Sequence, residues 1–95
     1  MAANATIDIP AATWTLLTDG NVTAARVQNV GAWYLLVKAT VGAVAPSTDA
    51  GAIVLDAGEG FAADLTLAQL FPGVSGANRL YGYCVKECKA SVSHA

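Results

Sequence analysis

His94, Ser91 and Ser93 are the first residues whose types could do chemistry together, since a hydroxyl nucleophile needs an imidazole base within reach. His94 is the only histidine, and it stands next to the last residue, where chains often fray. No acid is placed to orient it. The three therefore read as residues of a terminal strand, and no catalytic residue is assigned. Cys84 and Cys88 are the next candidates. A structural zinc site needs about four ligands, and one histidine does not complete the set. Three residues separate the cysteines, so they do not form a Cys-x-x-Cys redox motif. Two readings stand: small apolar side chains near a hairpin turn, or a local disulfide under oxidising conditions.

Asp56 and Glu59 offer two carboxylates three positions apart, with Asp49 and Asp64 nearby in sequence. Glycosidase chemistry needs a fixed separation across a cleft, and calcium needs six or more oxygens in a loop pattern that is absent. Gly58-Glu59-Gly60 lacks the spacing and the lysine of a phosphate-binding loop. The segment reads as a glycine-rich turn with solvated acids. No metal or cofactor is expected. Trp14, Trp33, Tyr34, Tyr81 and Tyr83 could form a stacking platform. Without interleaved basic residues they read as core or interface aromatics.

The elements that would carry these residues are short strands. Thr6-Ile7-Asp8-Ile9 alternates and meets Pro10, which predicts an edge strand or an extended lead-in. Met1 to Ala5 reads as a flexible arm, leaving 6–95 as a single β domain. Strands are expected over 13–18, 23–29, 33–40 and 52–55, separated by turns such as Asp19-Gly20-Asn21. In Trp33–Thr40 both faces carry apolar residues, which predicts a central strand covered on both sides with Trp33 and Leu35 in the core. The run 42–51 of Ala, Gly, Pro, Ser and Thr predicts a long exposed loop. Asp64–Phe71, stopped by Pro72-Gly73, is the one helical segment, with Asp64 or Thr66 as its cap. A hairpin about Lys86–Lys89 joins Leu80–Lys86 to Ala90–His94. The pattern is all-β: a small antiparallel β-sandwich or barrel with one short helix.

The chain has 95 residues, one domain's worth. Apolar residues make up 55%, but 20 residues are alanine, and only 13% are charged. Such a bland surface points to partial coverage by a partner. The five basic residues form no stripe, which argues against nucleic acid. No apolar run approaches a membrane span, and the start lacks a secretory signal, so a cytoplasmic origin is expected. The apolar two-faced strand, in so small a chain, predicts a homo-oligomer or binding to a lattice.

Six stretches in order resemble small virion structural proteins of tailed phages and prophages. They are Trp-Thr-Leu-Leu-Thr (14–18), Ala-Arg-Val-Gln-Asn-Val-Gly (25–31), Leu-Leu-Val-Lys-Ala-Thr (35–40), Ala-Pro-Ser-Thr-Asp-Ala-Gly-Ala-Ile-Val-Leu (45–55), Gly-Glu-Gly-Phe (58–61) and Ser-Val-Ser-His-Ala (91–95). The resemblance covers most of the chain from Ala12 onward; Cys84 and Cys88 lie outside it. It implies a non-enzymatic subunit of a symmetric assembly, often a trimer. Within that group it implies a capsid decoration (cement) protein that binds the major capsid protein and stabilises the shell, assembled in the host cytoplasm and kept in the virion. A tail or fibre component is the alternative. The residues themselves leave one further class, a small carbohydrate-binding β module with Trp14 or Trp33 stacked on a sugar ring.

Overall fold

The computed structural model describes residues 3–95 of the chain. Its strands are β1 (Ala3–Ile9), β2 (Thr15–Leu16), β3 (Arg26–Asn29), β4 (Leu35–Thr40), β5 (Ile53–Leu55), β6 (Gly60–Phe61), β7 (Arg79–Tyr83) and β8 (Cys88–His94). They form two four-stranded sheets, ordered β1-β8-β3-β6 and β2-β7-β4-β5. Every pairing is antiparallel. The sheets do not close on each other, so the fold is a sandwich rather than a barrel. Only β4 and β5 are both consecutive and paired; otherwise the chain steps back and forth between the sheets.

Alternation explains the core. Cys88, Ala90, Val92 and His94 of β8 are buried, as are Val27 and Asn29 of β3. Leu35, Val37 and Ala39 of β4 face them from the other sheet with Leu80 of β7. Small residues let the sheets approach. A Cβ on Gly82 would stand 3.1 Å from Ile9 Cδ1, 3.2 Å from Leu35 Cδ1 and 3.3 Å from Leu17 Cδ1, so its hydrogen makes room for three large side chains. The helix α1 is a single turn, Leu67–Leu70. Thr66 caps it in a reciprocal box with Gln69, and the Leu67 N–H donates to the Thr23 carbonyl at 2.8 Å. Leu67 and Phe71 then close one end of the core.

Four expectations need correction. First, Ala3, Asn4 and Ala5, placed in a flexible arm, pair with His94, Ser93 and Val92, because the backbone of β8 runs far enough to accept them. Met1 and Ala2, the rest of that arm, lie outside the described residues. Second, β7 and β8 are not a hairpin. The Lys86–Lys89 turn carries the chain from one sheet to the other, and β8 pairs with β1 and β3 instead. Third, Trp33 is 44% exposed, because β4 begins only at Leu35 and the preceding residues have left the sheet. Its ring lies under Lys86 Nζ, 4.9 Å from the ring centroid. Fourth, β6 pairs with β3 through Val27↔Phe61, a strand not expected from the glycine-rich turn.

Candidate functional site

The two outer faces of the sandwich differ in chemistry. On the β1-β8-β3 sheet the outward positions are Thr6 and Asp8, Lys89 and Ser91, Arg26 and Gln28. This is a polar, solvated face, with Arg26 donating to Ser91 Oγ at 3.1 Å. The outer face of the other sheet is apolar and aromatic. The register sets Leu16 and Lys38 beside Tyr81, and Leu36 between Tyr83 and Val54. Trp14, just before β2, leans on Tyr83 with centroids 5.0 Å apart and planes at 39°.

The long loop between β4 and β5 folds back on this face. Lys38 Nζ donates to the Thr48 carbonyl at 3.1 Å, and the Ala52 N–H donates to the Asp49 carbonyl at 3.1 Å. Leu36 and Tyr81 are buried even though they point away from the core. Near the start of β4 Tyr34 is 40%, Val54 56% and Val85 45% exposed, and past its other end Val41 and Val44 are exposed as well. Tyr34, just before β4, and Val85, beyond the end of β7, lie outside the strands, past the Leu36↔Tyr83 pair at the same end of the two.

The residues with catalytic types are spread apart. His94 faces the core side of β8, whereas Ser91 and Ser93 face outward. His94 Nε2 accepts the Asp19 N–H at 2.9 Å, and Nδ1 lies 3.1 Å from the Ala95 carbonyl. An accepting Nε2 leaves the proton on Nδ1, so the ring is a structural tie between the end of β8 and the β2–β3 turn. Glu59 Oε1 accepts the Asp56 N–H at 2.8 Å, closing the glycine-rich turn on itself. Among the described residues no group of three or more His, Cys, Asp or Glu is placed to hold a metal, and no helix is long and apolar enough to cross a membrane.

Both cysteines are buried free thiols at the exit of β7 and the start of β8. Burial pushes the Cys84 thiol up to about 12, helped by a hydrogen bond and charge repulsion from Cys88. That makes it a poor nucleophile. Asn29 is the residue that sequence reasoning missed. It closes the expected strand 23–29, and it is fully buried and bridges the sheets. Its Nδ2 donates to the carbonyls of Trp33 at 2.6 Å and Leu55 at 2.9 Å, and its Oδ1 accepts the Gly31 N–H at 2.9 Å and the Cys88 thiol at 3.3 Å. Its only sequence signal is a polar residue at an inward parity of β3.

Comparison with protein-family models, curated proteins and solved structures finds no match to this chain.

Proposed function

We propose that this protein is a non-enzymatic structural subunit of a phage virion, a capsid decoration protein that binds the major capsid protein and stabilises the shell. The observation that carries the reading is the open apolar end of the β2-β7-β4-β5 sheet, at Tyr34, Val54 and Val85, on a chain with only 13% charged residues. The resemblance to small virion proteins supplies the partner. A rigid sandwich with a polar outer face and an apolar one suits a subunit that sits on a lattice with one side in solvent. The outer edge of β1 adds a second contact element. It is seven residues long and ends one sheet, so its unpaired backbone groups suit a neighbouring copy in a homo-oligomer, such as a trimer.

The test is co-sedimentation with shells stripped of this protein. Wild type should pellet with the shells, and Val54→Asp should stay largely in the supernatant while melting like wild type. Equal recovery of both proteins, or no recovery of either, overturns the reading.

A further inference from the structure

The groove between the Trp14–Tyr83 pair and the β4–β5 loop has the lining of a ligand site. It is a cleft of about 300 Å³ bounded by Trp14, Tyr83, Ser47, Thr48 and Asp49. One wall is formed by Trp14 and Tyr83, the other by the exposed loop residues Ser47, Thr48 and Asp49. The two walls come from segments far apart in sequence and are held in place: Trp14 by its contact with Tyr83, the loop by Lys38 Nζ on the Thr48 carbonyl. A larger cleft, about 450 Å³ beside α1 and lined by residues such as Val22, Thr66 and Asn78, holds no aromatic and no charged group.

We propose that this groove binds a gluco-configured pyranose unit of an oligosaccharide. A pyranose has a hydrophobic C–H face and a rim of hydroxyls. An aromatic wall accepts the first and a carboxylate with hydroxyls accepts the second. The gluco configuration sets its hydroxyls equatorial, so its C–H faces are flat and free to stack. Other ligand classes fit less well. A nucleotide stacks on the rings but meets Asp49 where its phosphate needs a cation, and the nearby lysine, Lys38, is already committed to the loop. An organic cation is served better by rings on several sides than by two rings tilted at 39°. The groove borders the open end at Tyr83, which pairs with Leu36 beside Val54, but Tyr34, Val54 and Val85 are not in its lining, so sugar binding goes beyond the proposed shell contact.

The experiment is an NMR titration of the ¹⁵N-labelled protein with cellotetraose and with chitotetraose, with choline chloride as a separate arm. The Trp14 indole N–H and the Ser47–Asp49 amides should shift and saturate with at least one saccharide below about 10 mM, while the Trp33 indole stays still. Trp14→Ala and Asp49→Asn should each weaken binding about tenfold or more. Melting curves establish that both variants fold, and if Trp14→Ala does not, Asp49→Asn alone decides. No shift at Trp14 with either saccharide up to about 10 mM overturns the proposal. So does a response to choline alone, or saturable shifts centred on Trp33.

Discussion

Replacing Asn29 with alanine should be among the most damaging single changes in this protein. The side chain is fully buried and makes four hydrogen bonds, reaching β5, the lead-in to β4, the turn after β3 and the start of β8. Alanine leaves the Leu55 carbonyl and the Gly31 N–H without that partner. The Trp33 carbonyl is better off, since it keeps the Cys88 thiol at 3.6 Å and lies near solvent. At about 1–3 kcal/mol per orphaned buried group, the loss comes to roughly 3–4 kcal/mol. In a domain of this size that lowers Tm by roughly 15–25 °C. Urea denaturation followed by tryptophan fluorescence, with calorimetry alongside, measures it. Asn29→Asp is the companion variant. Its carboxylate faces two carbonyls, so the charged form is disfavoured and the folded-state pKa rises. Its stability should therefore improve as pH falls toward the carboxylate range, opposite to an ion-paired acid. An alanine variant within about 0.5 kcal/mol of wild type would show that the bridge does not hold the sheets together.

Leu35→Ala should cost about 2–4 kcal/mol, whereas Trp33→Ala should cost under about 1 kcal/mol, and the contrast read by denaturation checks where β4 starts. Deleting Met1–Ala5 removes three register pairs with β8 and uncovers Val92, so the melting midpoint should fall measurably, by about 1–2 kcal/mol of stability; an unchanged midpoint would restore the flexible-arm reading. Because the Cys84 thiol is raised from 9.0 to about 12, the unfolded chain releases that proton first as pH rises. Stability should be full below pH 9 and decline between 9 and about 12, and Cys84→Ser should flatten that decline in a pH series of melts.

Local pattern made parts of this fold legible. The alternation of Leu35, Val37 and Ala39 placed β4, whereas the sequence offers Asp64 or Thr66 as the cap of a helix over Asp64–Phe71, and the structure has a single turn, Leu67–Leu70, capped by Thr66. The same parity rule misled at Trp33, because it assumes the strand continues, and the chain turns away where Asn29 grips the Trp33 carbonyl. The turn at Lys86–Lys89 has the chemistry of a hairpin, but a crossover between sheets uses the same residues. Only the long-range pairing of β8 with β1 and β3 distinguishes them. Two-residue strands such as Gly60–Phe61 carry too little pattern to stand out. The groove was the least legible feature. Trp14 and Tyr83 are two of five aromatics that the sequence offers as a platform or as core and interface, but which of them meet, and the return of Ser47–Asp49 beside them, is a property of the sandwich and of no local segment.

Electron cryo-microscopy of the native particle, at a resolution that separates the two sheets, tests the central claim most directly. Density for this domain is expected on the outer surface of the capsid, with the Tyr34–Val54–Val85 end of the β2-β7-β4-β5 sheet against the major capsid protein and the Ser91–Gln28 face toward solvent. A shell without this density, or a domain docked through the polar face instead, would contradict it.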